Sequence, residues 1–210
     1  MKNIITIQHT QSEQHTNKMI GSWADWDLTE RGIAQANRIG KRLADELKGK
    51  SYHIYSSDLL RARHTAEIIA EYLHLEPIYT DALREFHLGE AIGKSKEWAR
   101  QNHTCKVWSG TVDWADSVDS RPFLGAETKR EVWNRLLTFY NQIMESTEEN
   151  LIIVSHDGTL SIFFAMWLGM DICMLDTCNL SGKSGGVSFL QEDMEKHRII
   201  LRLNDLSYMQ

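Results

Sequence analysis

Short apolar runs alternate with longer amphipathic stretches along most of this chain, and this rhythm limits the folds that it can adopt. The two clearest runs are residues 3–8 (NIITIQ) and 151–155 (LIIVS). Runs of this length, rich in β-branched residues and bounded by polar ones, predict buried strands. Because strands that alternate with helices form mainly parallel sheets, we expect a three-layer α/β/α sandwich with a mostly parallel central sheet.

Periodic apolar positions predict the helices of this sandwich. One helix is expected to begin after Thr29, and another after Asp58, since both side chains can cap a helix. The remaining predicted elements are strands at 52–56, around Ile78, at 187–190 and at 198–203, and helices at 94–101, 132–143 and 158–168.

Length, charge and composition exclude several classes of protein. The chain has 210 residues and only two prolines, so we expect one domain spanning 1–210. The formal net charge of -6 argues against nucleic acid as a partner. No apolar run approaches the roughly 20 residues that cross a bilayer, so no membrane association is expected. Three cysteines without a CxxC pair fit a cytoplasmic protein, and the oligomeric state stays open.

Polar residues with titratable or charged side chains follow three of the predicted strands. His9 comes directly after the first strand, residues Ser57 to Arg61 come directly after the second, and His156 comes directly after the LIIVS strand. Sites in parallel sheets form beyond the carboxyl ends of the strands. Taken singly, each of these residues is more often an ordinary surface or capping residue.

Five segments in a fixed order favour a common site. They are Gln8-His9-Thr10, WADWDLTERG at 23–32, SDLLRARHTA at 57–66, EFHLGEAIG at 85–93 and SHDG at 155–158. This set resembles the histidine phosphatase superfamily, also called the phosphoglycerate mutase-like family, with its patterns RHG, WxDxxLTxxG, SxLxRAxxTA, ExxxGxxxG and SHGG. The resemblance implies a phosphoglycerate mutase-like fold, and we expect a cap-like insertion at about 85–125.

The resemblance also implies a role for each matching residue. His9 would become phosphorylated, and Arg61 would hold the phosphate with its charged fork. His156 would donate a second hydrogen bond to the transferring group. Glu85 would protonate the leaving oxygen and then activate water. No metal or other cofactor is expected, because arginine and histidine supply the charge.

Three positions depart from the family pattern. Gln8 stands where the family has arginine, which removes a charged donor and predicts weaker phosphate binding. Thr10 replaces a glycine. Asp157 replaces the first glycine of the SHGG pattern and brings a carboxylate near the phosphate. The favoured interpretation is that its side chain caps the following helix.

The loop after His9 leaves two further questions open. His15 is a candidate for the cation that replaces the missing arginine. This loop is about two residues longer than the usual form, so either Ser12 or Asn17 could take the role of phosphate contact.

The sequence favours a phosphatase that hydrolyses a small phosphorylated metabolite through a phosphohistidine. Phosphoglycerate mutase-type transfer is the alternative within the family, but acidic and basic residues are balanced in the insertion, where a mutase would be more basic. A catalytically impaired binding or regulatory module is a second alternative, suggested by Gln8. A metal site on His9, His15 and His156 is disfavoured, since the spacing matches no zinc pattern.

Overall fold

Six strands form one central sheet in the computed structural model, which describes residues 1–105 and 117–210. The spatial order is β3-β2-β4-β1-β5-β6. The first four strands in this order are parallel, and β5 runs antiparallel to both β1 and β6. The predicted mostly parallel sheet is confirmed. The strands are β1 Asn3–Gln8, β2 His53–Ser57, β3 Ile78–Thr80, β4 Asn150–Ser155, β5 Val187–Glu192 and β6 Arg198–Asp205.

Helices cover both faces of this sheet, which completes the predicted three layers. They are α1 Glu30–Glu46, α2 Leu60–Leu73, α3 Lys96–Asn102, α4 Lys129–Glu145 and α5 Asp157–Trp167. Side chains of successive strand residues point to opposite faces. Accordingly Ile5 packs in a cluster with Ile39 of α1 and Ile69 of α2, whereas Ile4 packs in a second cluster with Leu136 of α4 and Phe163 of α5.

One of the two predicted caps before α1 and α2 is confirmed, and the other is wrong. The Thr29 hydroxyl accepts a 3.1 Å hydrogen bond from the Gly32 amide. Asp58 does not cap α2, because both of its carboxylate oxygens pair with Arg84 at 2.7 and 2.6 Å. A bidentate, charge-assisted pair is stronger than a single cap bond. The Leu60 amide instead donates to the carboxylate of Asp25, 2.7 Å away.

The predicted cap-like insertion at about 85–125 includes residues 106–116, which lie outside the described residues. Its described part contains α3 and contributes Leu88, Ala99 and Phe123 to the cluster that holds α4 and α5. The cap and the single domain over 1–210 therefore stay predictions. Within the two described ranges, no helix is long and apolar enough to cross a membrane.

The carboxyl ends of β1, β2 and β4 meet at one edge of the sheet. His9 follows β1, Ser57 ends β2, and His156 follows β4. The parallel pairing of β1 with β4 and of β2 with β4 places these three ends side by side. The topology thus collects residues that are up to 147 positions apart in sequence.

Candidate active site

The hydrogen bonds of His9 fix the form of its ring. Nδ1 lies 2.8 Å from the Thr10 carbonyl oxygen, which only accepts hydrogen bonds, so Nδ1 carries the proton. Nε2 accepts a 3.2 Å hydrogen bond from Arg61 Nε. Burial, followed by the charge of Arg61, holds the pKa of His9 well below its usual 6.5. The ring is therefore neutral at pH 7, with the lone pair on Nε2, which is the form that a nucleophile requires.

Arg61 is fully buried in the first turn of α2 and is held by backbone as well as by His9. Its Nη1 donates to the Ala24 carbonyl at 3.1 Å, and its Nη2 donates to the Ser22 carbonyl at 2.8 Å. Burial lowers the pKa of Arg61 to about 10, so the guanidinium stays charged at pH 7. Of its five N–H donors, three are used here and two remain for an anion.

His156 offers a buried donor beside His9. Its Nε2 lies 2.8 Å from the Ser57 hydroxyl, which accepts from the Leu59 amide and has its own proton to give to His156 Nε2. We take this as the direction of the bond. The ring proton is then on Nδ1, which is buried and has no partner within the described ranges. The centroids of the two imidazole rings are 5.1 Å apart. Because a buried unpaired donor is unfavourable, a bound anion would stabilise this arrangement.

Glu85 lies close to the start of α5. Its Oε1 accepts from the Phe86 amide at 3.0 Å, and its Oε2 lies 3.4 Å from the Gly158 amide. Burial of the carboxyl, and next the negative charge of Asp157, raise the pKa of Glu85 above 4.5. Gly158 is needed for this approach, since a Cβ atom there would lie 2.8 Å from Glu85 Oε1.

His15 stacks on His9 with ring centroids 5.5 Å apart. Its Nδ1 accepts a 2.9 Å hydrogen bond from the buried Ser12 amide, so the proton is on Nε2. Partial desolvation, followed by the charges of Arg61 and Lys96, lowers the pKa of His15 from 6.5. In the unliganded protein at pH 7, His15 therefore presents a neutral donor where the sequence suggested a cation.

Asn17 and Gln8 point elsewhere in this structure. Asn17 is exposed, and its Oδ1 accepts from the Met19 amide within the same turn. Gln8 is buried, and it lines a cavity of about 10 Å³ together with Asp157 and Asn204. Ser12 bonds to His15, which in turn stacks on His9, whereas the Asn17 side chain bonds to Met19.

Asp157 does not cap α5, contrary to the sequence-based interpretation. His156 occupies the N-cap position, and Asp157 is the first residue of the helix. Its two carboxylate oxygens accept hydrogen bonds of 2.6 Å from the Ser181 hydroxyl and the Gly182 amide. These donors draw the carboxylate towards the 181–186 loop, although its charge still acts on Glu85.

The candidate catalytic cluster consists of His9, Arg61, Glu85 and His156. A cleft of about 160 Å³ adjoins it and has His15, Ser22, Glu85 and Lys96 among its lining residues. Lys96 begins α3 and is exposed. No carboxylate pairs with its ammonium group in the described part of the chain. The cleft thus carries an available cation beside the proposed acid.

Several contributors to this geometry are not apparent from motifs. Ser57 orients His156, and the carbonyls of Ser22 and Ala24 orient Arg61. The sequence pointed to the position of Ser57, which follows the predicted strand at 52–56 and begins the SDLLRARHTA segment, but not to this role. The carbonyls carry no side-chain signal. No group of three or more His, Cys, Asp or Glu placed to hold a metal ion occurs in 1–105 or 117–210.

The chain is similar to known phosphatases and phosphoglycerate mutases. The chain is 28% identical over 208 residues to a putative phosphoserine phosphatase 2 of Hydrogenobacter thermophilus, covering 99% of this chain and 98% of that one. It is 30% identical over 176 residues to a 2,3-bisphosphoglycerate-dependent phosphoglycerate mutase of Methylorubrum extorquens, covering 80% and 79%. Its fold matches Bacillus stearothermophilus YhfR with a TM-score of 0.80 at 24% identity, over 100% of both chains.

A family model extends the likeness to nearly the whole chain. The model of the histidine phosphatase superfamily (branch 1) matches residues 4–205. The match includes all five motif segments and every residue of the catalytic cluster. This chain therefore belongs to the histidine phosphatase superfamily.

Proposed function

We propose that this protein is a phosphatase that hydrolyses a small phosphomonoester through a phosphohistidine on His9, without a metal ion. One observation carries the proposal: the unprotonated Nε2 of a buried, neutral His9 faces the charged guanidinium of Arg61. An anionic phosphoryl group drawn to Arg61 is thereby brought to the nucleophile.

In the first step, His9 Nε2 forms a bond to phosphorus as the ester P–O bond breaks. Arg61 and the Nδ1–H of His156 stabilise the charge on the phosphoryl oxygens. Protonated Glu85 gives its proton to the leaving alkoxide, and its raised pKa favours the protonated form that this step requires. The products are an alcohol, phosphohistidine and a carboxylate.

In the second step, water attacks the phosphohistidine. The Glu85 carboxylate takes a proton from that water, and the N–P bond breaks with its electron pair returning to His9 Nε2. Inorganic phosphate leaves and both residues regain their starting forms. The proton is thus conserved over the cycle.

An acid-quench experiment tests the proposal. Protein mixed with a ³²P-labelled phosphomonoester is expected to carry label that is stable in alkali and lost in acid, which is the behaviour of phosphohistidine. Release of inorganic phosphate should exceed the amount of protein many times. Labelling without release of inorganic phosphate would instead favour mutase-type transfer, and the absence of both would contradict the proposal and favour a binding module.

Relatives and residues together suggest the kind of substrate. Phosphoserine and phosphoglycerate, named in two of the relatives, both carry a carboxylate besides the phosphate. Lys96 places a cation at the cleft beside Glu85, where such a group would lie. This favours a small phosphorylated metabolite with a second anionic group, handled in a cytoplasmic setting, as the cysteine pattern suggested. The same cation leaves phosphoglycerate mutase-type transfer as the second candidate.

Lys96→Met is expected to raise KM for phosphoserine about fivefold, because an exposed charge pair contributes about 1 kcal/mol. Turnover of p-nitrophenyl phosphate, which has no second anion, should change less than about twofold. Steady-state kinetics on both substrates measure the difference. Lys94→Met is the matched control, since Lys94 lies two residues away with its ammonium 6.0 Å from the Trp98 ring centre. Equal effects of the two variants would contradict the role of Lys96.

Gln8→Arg is expected to raise kcat/KM for p-nitrophenyl phosphate about tenfold, because a charge-assisted hydrogen bond is worth roughly 1.5–3 kcal/mol. His15 is neutral at pH 7 and leaves the missing charge unreplaced. The 10 Å³ cavity beside Gln8 is about the least that holds one water, so a guanidinium has to extend beyond it.

The control for this variant is Gln8→Met, which removes the amide and adds no charge. Its activity should equal or fall below that of the unmodified protein. A lower kcat/KM in Gln8→Arg, with the circular dichroism unchanged, would mean that the pocket depends on glutamine.

A further inference from the structure

Glu85 lies on a segment whose position is not set by regular secondary structure. Residues 84–88 connect two 3-10 helices, Asp81–Leu83 and Gly89–Ala91, and form no strand or helix of their own. The carboxyl of a general acid has to lie within hydrogen-bond reach of the oxygen that it protonates. Some other part of the protein therefore has to fix this segment.

Arg135 of α4 donates hydrogen bonds to the start of this segment and to the 3-10 helix that precedes it. The two N–H groups of its Nη1 face three carbonyl oxygens, those of Asp81, Ala82 and Arg84 at 3.2, 2.8 and 3.1 Å, so one N–H is shared between two of them. Its Nη2 reaches the carbonyl of Glu85 at 3.4 Å. One guanidinium thus gathers the carbonyls that lead up to Glu85. A lysine has three donors on one nitrogen and lacks the planar fork that spans these carbonyls.

Glu127 contacts the chain on the other side of Glu85, and we call Arg135 and Glu127 together the clamp. Its carboxylate pairs with Nε and Nη2 of Arg135, both at 3.1 Å. The same carboxylate accepts a 2.8 Å hydrogen bond from the His87 amide. The two side chains of this pair are only 17% and 19% exposed, so water screens the pair little. Arg135 and Glu127 therefore fix the chain before and after Glu85.

The clamp acts on the position of Glu85. Asp157 and Arg61 are the charged groups with the largest effect on the Glu85 carboxyl, and Arg135 contacts the backbone of the segment. The charge of Arg135 does act weakly on His156, in the direction that keeps this ring neutral. Trp23 Nε1 also donates to the Glu85 carbonyl, at 2.7 Å, but it makes no bond to Asp81 or Ala82.

We propose that Arg135, paired with Glu127, is a positioning residue that holds Glu85 in place to protonate the leaving group. The inference rests on the proposed function, because it gives Glu85 the role of general acid. Loss of the clamp should lower kcat/KM most for substrates whose leaving group needs protonation. Substrates with a good leaving group should be spared.

The test compares Arg135→Gln with the unmodified protein on two substrates. For an alkyl phosphomonoester such as glycerol phosphate, kcat/KM is expected to fall about 10- to 100-fold, a part of the 10²–10⁴ that general acid catalysis contributes. For p-nitrophenyl phosphate it should fall less than about threefold, since p-nitrophenolate leaves without protonation. Arg130 lies on the same helix as Arg135 and forms an exposed ion pair with Asp119. The control variant Arg130→Gln breaks that pair and should change neither value. An equal fall on both substrates would overturn the proposal.

A double-variant cycle separates positioning from a general structural role. If Arg135 acts through Glu85, then Arg135→Gln should have little further effect on glycerol phosphate in a Glu85→Gln background. Additive losses would refute the inference. Glu127→Gln, which keeps the size of the side chain, is the second variant if Arg135→Gln does not fold, and the same selective loss is expected.

Failure of this inference is distinguishable from failure of the proposed function. In one outcome, Glu85→Gln lowers kcat/KM much more for glycerol phosphate than for p-nitrophenyl phosphate, but Arg135→Gln lowers both equally. That outcome would refute the clamp alone. A Glu85→Gln variant that does not discriminate would refute the role of Glu85 on which the clamp depends.

Discussion

His9→Ala is expected to abolish phosphatase activity, with kcat falling on the order of 10⁴-fold or more, because the nucleophile is removed. Among the described residues, the three that lie beside His9 cannot replace it. Arg61 stays charged at pH 7, and the Nε2 of His156 is bonded to Ser57. His15 has its lone pair on Nδ1, where it accepts from Ser12. The acid-labile phosphoenzyme should disappear together with turnover.

The fold should survive this change, so the result reports on chemistry. The alanine leaves the apolar clusters on both faces of the sheet intact, since His9 belongs to neither. His53→Ala is the matched control, because His53 is an exposed histidine at the start of β2, away from the carboxyl ends. Turnover of His9→Ala comparable to that of His53→Ala would end the phosphohistidine mechanism.

Much of the fold was predictable because it depends on local patterns. The runs NIITIQ and LIIVS are buried strands because their residues are β-branched and apolar on both faces, as a central parallel strand requires. The Thr29 cap was predictable for the same reason, since donor and acceptor lie three residues apart.

Long-range competition explains the two wrong caps. Asp58 is drawn to Arg84, which is 26 residues away, and Asp157 is drawn to Ser181 and Gly182 in a later loop. Nothing within a few residues of either aspartate reveals these partners. The proposed positioning role of Arg135 was out of reach for a similar reason, because its acceptors are backbone carbonyls about 50 residues earlier in the chain.

The electrostatic state of the cluster also depends on burial that sequence does not reveal. His15 looked like a replacement cation as a loop histidine beside the nucleophile. Its ring instead lies against His9 with Arg61 and Lys96 nearby, and both charges disfavour a second proton. Only the three-dimensional arrangement shows that His15 does not restore the charge missing at Gln8.

Glu85→Gln is expected to lower kcat/KM for glycerol phosphate about 10²- to 10⁴-fold, because the amide cannot donate the proton that an alkoxide requires. The fall for p-nitrophenyl phosphate should be far smaller. Glu90→Gln, an exposed carboxylate five residues later, is the control and should change neither value. Equal losses on the two substrates would mean that Glu85 contributes to binding and not to protonation.

The pH dependence gives this assignment a second, independent test. The pKa of Glu85 lies above 4.5, chiefly because the carboxyl is buried and next because Asp157 is negative. The protonated form is the acid, so kcat/KM for glycerol phosphate should decline as pH rises through that raised pKa. Asp157→Asn removes the negative charge, which lowers the pKa of Glu85 and moves the decline to lower pH. In Glu85→Gln the decline due to this group should vanish, and a profile that keeps it would assign the proton to another residue.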